Sequence, residues 1–234
     1  MRFIQFFSLV LFLSGFSLYG QHSEIGINLG VSYYIGEINP ELHVINKVRP
    51  SAGLFYRMNT SKRYSLRFGV NYASLAASDA MSASRFADYR GLSYGADLYE
   101  GYGILEFNFI PYQLNNYATS DFTPYVFIGL AGFYVRPNVG PDLEKFIDET
   151  IDELAAPSVP FGLGIKFNFI DYLGIGVEWG MRKTFTDEID GLPPTYADGY
   201  QLSNTQNNDW YSILAITLNY KFLTKRDRCP GAIN

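Results

Sequence analysis

The chain is poor in charge, histidine and cysteine, and each shortage closes off a class of function. Only 18% of its 234 residues are Asp, Glu, Lys or Arg, and the formal net charge is a modest −5. Lys and Arg gather only at Lys225 to Arg228, so the electrostatic footprint of a nucleic-acid-binding surface is missing. The 2 histidines are His22 and His43. Neither has a serine motif of the nucleophile-elbow kind near it, and hydrolysis normally needs a nucleophile with a base, most often histidine. The expectation is a protein that is not an enzyme. A single cysteine, Cys229, excludes an intramolecular disulfide. Phosphate loops, zinc spacings and dinucleotide fingerprints are absent, so no cofactor and no metal is expected. The acids Asp187, Glu188, Asp190 and Asp198 match no calcium-loop spacing and read as a solvated loop.

Long apolar runs are also missing. Phe6 to Leu18, behind Met1-Arg2 and ahead of small or polar residues at Gly20 and Gln21, has the layout of a secretory signal peptide, expected to be cleaved near Gly20. No later segment offers the roughly 18 apolar residues a membrane helix needs. A membrane location for the mature chain therefore requires a barrel.

What is abundant is strand and turn material. Tyr and Phe number 19 each, and Gly 22. Period-2 alternation recurs in eight runs: 24–36, 50–59, 62–75, 95–109, 123–135, 158–169, 172–185 and 210–223. In the first, Ile25, Ile27, Leu29, Val31, Tyr33 and Ile35 share one face, opposite Gly26, Asn28, Gly30, Ser32, Tyr34 and Gly36. In the seventh, Leu173, Ile175, Val177, Trp179 and Met181 oppose Gly174, Gly176, Glu178, Gly180 and Arg182. Alternation alone does not say which face is inside, since a soluble lipocalin-like barrel is apolar inside and polar outside. Two features favour a membrane barrel. The apolar faces end in aromatics such as Tyr33, Tyr72, Phe109, Tyr134, Phe169 and Phe222, and the connections alternate in length. Thr60-Ser61 and Ile170-Asp171 read as tight turns, while 37–49, 76–94, 136–157 and 186–209 read as long outer loops.

The expected fold is thus all-β, an eight-stranded antiparallel up-and-down transmembrane barrel with long outer loops. Residues 1–20 form the signal peptide, 21–222 an outer-membrane barrel in contact with lipid, and 223–234 a periplasmic tail. One connection breaks the pattern: 110–122 is long on the side where turns should be short, and suggests a contact surface. The spacing of Leu143, Phe146, Ile147, Ile151 and Leu154, with six acids among residues 141–154, predicts a helix there, either docking a partner or folding over the rim.

The polar face carries Arg57, Arg67, Glu100, Glu106, Lys166, Glu178, Arg182 and Lys221. A charge facing lipid at mid-bilayer costs about 2–4 kcal/mol, so these belong in the lumen. An ion or proton path is the functional reading; a structural plug of ion pairs is the other, because eight strands enclose little more than side-chain volume. At the end of the last run, Tyr220 and Phe222 resemble the terminal aromatic signal for outer-membrane insertion. Thr217 stands where that signal usually has glycine, and twelve residues follow Phe222.

Several stretches together resemble the PorG-like outer-membrane proteins of the Bacteroidota type IX secretion system, also catalogued as a domain of unknown function. They are Glu24-Ile25-Gly26 leading to Tyr34-Ile35-Gly36-Glu37, Thr123-Pro124-Tyr125, and Val159-Pro160-Phe161-Gly162-Leu163-Gly164-Ile165-Lys166. Thr184-Phe185-Thr186-Asp187-Glu188-Ile189-Asp190-Gly191, Asn208-Asp209-Trp210-Tyr211 and the tail with Cys229-Pro230 complete the set. The resemblance implies a non-catalytic outer-membrane component that associates with the periplasmic ring lipoprotein and its partner, with no small-molecule substrate. Placement then points to 110–122 and the tail as contact segments, with Arg226, Arg228 and Cys229 as candidate contacts, the last through an intermolecular disulfide or as a free thiol. The alternative is a free-standing structural or adhesin-like barrel with no secretion role.

Overall fold

In a computed structural model of the chain, the described residues are 22–35, 48–78, 93–112, 121–139, 153–170, 172–186, 189 and 208–222. They form eight strands: β1 (His22–Ile35), β2 (Arg49–Asn59), β3 (Tyr64–Ser78), β4 (Ser93–Asn108), β5 (Phe122–Val139), β6 (Leu154–Ile170), β7 (Leu173–Thr184) and β8 (Trp210–Phe222). Each pairs antiparallel with its sequence neighbour, and β1 pairs with β8, which closes the barrel. Closure leaves no sheet edge, so every strand's backbone groups find partners without water.

The strands run three or more residues further than alternation indicated at three places. β3 reaches Ser78, β5 reaches Val139 and β6 begins at Leu154. Of the helix expected over 141–154, residues 141–152 lie outside the described residues, and Leu154 pairs with Val135 inside the sheet. Ladder hydrogen bonds to an existing edge outweigh the helical spacing of one terminal leucine. The first tight turn is also longer than expected, and Lys62 and Arg63 belong to it rather than to β3. There the Ser61 hydroxyl accepts from the Arg63 and Tyr64 amides at 3.2 and 3.0 Å, a local bond that competes with the ladder. Between β6 and β7 only two residues intervene, and the register shifts at Asn168/Ile170, a bulge that tightens the bend.

Glycines on the inner face make a narrow barrel possible. A Cβ on Gly26 would sit 2.3 Å from the Phe55 ring, and one on Gly162 2.6 Å from Phe127 and 2.2 Å from the Trp179 carbonyl. Large aromatics on one wall thus lie where the opposing or neighbouring strand has no side chain.

Candidate functional site: the lumen and its two mouths

The alternating faces resolve with the greasy side outward. Leu54, Val70, Leu105, Ile128, Leu163, Val177, Ile216 and Leu218 are all exposed, while the residues on either side of each are buried or are half-buried glycines. A water-soluble barrel would carry the reverse pattern. The exposed charges on the strands, Arg49, Asp97, Arg136 and Lys183, all lie toward the ends joined by the long connections. Exposed aromatics bound the belt, with Tyr72 against Tyr99 (ring centroids 5.5 Å) at one level and Tyr64 against Phe107 (5.3 Å) at the other. Tyr64 and Tyr72 are eight residues apart on β3, which at about 3.4 Å per residue and a tilt near 40° gives a belt roughly 20 Å high. This is a surface for hydrocarbon, bounded by amphipathic rings at its margins. Tyr33, named among these rings, is itself covered and accepts from the Trp179 indole at 2.9 Å. Tyr220 is half exposed on the outer face, third from last in β8.

Inside, Arg57, Arg67, Glu100, Glu106, Lys166, Glu178, Arg182 and Lys221 are all buried. Glu106 lies at their centre. Its carboxylate is 2.5 Å from the Lys166 ammonium, 3.0 Å from Arg57 Nε and 2.9 Å from Arg67 Nε. The two arginine contacts are coulombic, because neither Nε–H points along a hydrogen-bond line to the oxygen. Arg67 continues the chain to Glu178 at 2.6 Å, where the Tyr125 hydroxyl also donates. Both guanidinium groups lie over the Phe55 ring, at 4.9 Å for Arg57 and 5.2 Å for Arg67, which offers a polarisable face to donors without an oxygen partner.

A ninth ion belongs to this network. Glu24 pairs with Arg57 at 2.8 Å and accepts from Asn59 and Asn219, both at 2.6 Å. Its parity with Gly26 and Asn28 on the polar face of the first run is the signal that identifies it. Farther along the barrel Glu100 forms a second centre, accepting from Arg182 (3.2 Å), Tyr211 (2.6 Å) and Asn71 (2.8 Å). Four carboxylates therefore meet five cations. Ion pairs of this density in a low-dielectric lumen must satisfy one another, since a lone buried charge would be prohibitive.

The outer third of the lumen is apolar. Tyr34, Leu75, Leu98, Phe133, Val135 and Ile213 pack together, and Ile189, from the β7–β8 connection, is fully buried against them. Asp209 fastens that connection. It accepts from the Tyr34 hydroxyl and from the Ile189 amide (3.1 Å), and its carbonyl accepts from the Thr184 hydroxyl at 2.6 Å. Two of the motifs noted in the sequence, around Thr184 to Ile189 and Asn208 to Tyr211, thus meet at one latch across the outer mouth.

The opposite mouth is filled from the long β4–β5 connection. Tyr112 is 4% exposed and its amide donates to the Lys62 carbonyl at 2.9 Å. Arg63 donates to the Phe109 carbonyl at 2.6 Å, so the short turn and the start of the long connection form one body. Burial pushes the Tyr112 phenol above its ordinary pKa, reinforced by the nearby Glu24 carboxylate, and the hydroxyl has no hydrogen-bond partner among the described residues. No group of His, Cys, Asp and Glu among the described residues could hold a metal ion. His43, Asp187, Glu188, Asp190, Asp198, Arg226, Arg228 and Cys229 lie outside the described residues, as do 1–20 and 223–234.

Residues 3–231 match the family described as a domain of unknown function, DUF6089. The chain belongs to that family. No curated protein sequence matches this DUF6089 chain significantly. Its architecture is similar to that of solved eight-stranded barrels at very low identity. Ail, the attachment invasion locus protein of Yersinia pestis, is 12% identical, with 86% of this chain and 99% of that one covered and a TM-score of 0.46. A major outer membrane protein of Thermus thermophilus is 9% identical (86% and 99% covered, TM-score 0.47). OprG of Pseudomonas aeruginosa is 8% identical (86% and 97%, TM-score 0.42). These likenesses are of fold alone.

Proposed function

We propose that this DUF6089 protein is a non-catalytic component of the outer membrane that anchors or connects the periplasmic part of a type IX protein-secretion system, in the manner of the PorG-like proteins its motifs resemble. The observation that carries the reading is the occupation of both mouths by the chain's own side chains, Ile189 at one and Tyr112 at the other. A barrel filled by ion pairs and closed at each end works at its faces rather than through its lumen. The lumenal ions are a structural plug on this account. The face offered to the periplasm consists of the 60–63 turn, the connection begun by Phe109 and the tail with Arg226, Arg228 and Cys229. The partners in this reading are the ring lipoprotein and its companion, reached after export by a cleaved signal peptide.

Deleting residues 223–234 in the native host tests it. The expected result is loss of type IX cargo secretion while the barrel still inserts and migrates in a heat-modifiable way. Normal secretion by the inserted, truncated barrel favours the free-standing barrel. Cys229→Ser adds a second readout: unchanged migration of envelope extracts on non-reducing gels removes the intermolecular disulfide.

A further inference from the structure

Most inward glycines are explained by what would collide with a side chain, but two outward ones are not. A Cβ on Gly101 or Gly132 meets nothing within 4 Å, and the two are paired across β4 and β5. Glycine weakens a strand interior and contributes no packing there. Gly101 also borders a concavity of about 620 Å³ on the outer face, a volume within the range of small-molecule sites, about 300–1,000 Å³. Leu29, Leu54 and Tyr99 border it, and the small residues Ala52 and Gly101 leave the surface low on either side of Val70 and Tyr72 of β3.

The groove runs within the hydrocarbon belt and ends at the aromatic margin nearer the long connections. Just beyond, the Tyr72 hydroxyl donates to Asp97 at 2.7 Å, Asp97 pairs in register with Arg136, and Arg136 is bridged to Glu153 at 3.1 Å. That margin therefore holds Asp97, Glu153 and Arg136 side by side, with Arg49 exposed at the start of β2 on the same margin. A rim of both signs complements a headgroup that carries both.

We propose that this groove is a binding site for one acyl chain of a zwitterionic phospholipid, its ammonium directed to Asp97 and its phosphate to Arg136. The proposal rests on the membrane placement of the barrel. The groove is continuous with the lipid-facing belt, and hydrocarbon is the fluid against it. Because all lipid-facing surfaces are equally apolar, a retained lipid owes its hold to close packing and headgroup pairing rather than to the hydrophobic effect.

The test is native mass spectrometry of the full chain, folded in detergent with an equimolar mixture of dipalmitoyl phosphatidylethanolamine, dipalmitoyl phosphatidylglycerol and lipid A. The expected spectrum shows one phosphatidylethanolamine per barrel. Gly101→Leu and Ala52→Leu, both directed into open space, lower that retention about tenfold by filling the groove. Val177→Leu, on the far wall, leaves it unchanged. Equal or stronger retention of the acidic lipids, undiminished retention in both groove variants, or a barrel dimer in place of lipid overturns the proposal. A chain that stays soluble and monomeric without detergent overturns the membrane placement instead, which separates the two failures.

Discussion

Removing Glu106 is the severest single test of the lumenal network. Its carboxylate is fully buried and lies within 3.0 Å of three cations, Arg57, Arg67 and Lys166. Glu106→Gln keeps the shape and one oxygen but withdraws the only negative charge common to all three. Deleting one partner of a buried ion pair costs about 3–5 kcal/mol, because the other charge is left uncompensated. Part of that cost is recoverable, since Glu24 still faces Arg57 and Glu178 still faces Arg67. Lys166 keeps only Asn108, at 3.1 Å, among the hydrogen-bond partners seen for its ammonium. The expected loss is therefore about 3 kcal/mol, roughly two decades in the unfolding equilibrium. Urea unfolding of the barrel in lipid vesicles, followed by the fluorescence of Trp179 and Trp210, measures it. Glu106→Gln/Lys166→Met should recover more than half of the deficit, because it removes the charge left with fewest partners. A loss below about 1 kcal/mol in the single variant, the size of a surface pair, would refute the reasoning.

The two mouths and the wall make separate predictions. Asp209→Ala releases the Ile189 amide and the Tyr34 hydroxyl together, so hydrogen exchange at Ile189 should accelerate at least about tenfold, and unchanged protection would show that the latch is held elsewhere. Tyr112→Phe removes a buried hydroxyl without a partner among the described residues and should leave stability equal or higher by about 1 kcal/mol; a marked loss would reveal an ordered water or partner at that oxygen. The same variant should lessen alkaline destabilisation. Burial raises the phenol in the folded state, so its contribution is intact below the unfolded value near pH 10 and is lost above it. Gly26→Leu should prevent folding, given Phe55 at 2.3 Å from the new Cβ, whereas Gly101→Ala should fold as the native chain does; heat-modifiable migration distinguishes them.

Strand number, pairing order and the face of each strand were legible in the sequence because a closed barrel repeats one local rule, period-2 alternation, in every element. The same parity carried the lumenal ions, and Glu24 obeys it as fully as Arg57 does. Less legible was the change along the lumen from charge to hydrocarbon. Leu75, Leu98 and Val135 lie on the inner face, yet as isolated letters they resemble lipid-facing residues, and only their strand positions set them apart. Long-range closure was hidden too. Ile189 and Tyr112 sit in connections with no periodicity, and their burial depends on Asp209 and Lys62, which no local pattern links to them. The turn at 60–63 illustrates a smaller limit, since a serine hydroxyl displaced the start of β3 by two residues from where alternation placed it.

The central claim is the direction of the two faces, and spin labels on β8 test it directly. In a Cys229→Ser background, single cysteines placed in turn from residue 213 to 219 would be labelled in the barrel reconstituted in vesicles. Oxygen, which partitions into lipid, should relax the labels at 214, 216 and 218. At 213, 215, 217 and 219 it should have little effect. Relaxation by a water-soluble nickel complex at 214, 216 and 218 would contradict the account, because those side chains would then face water and not hydrocarbon.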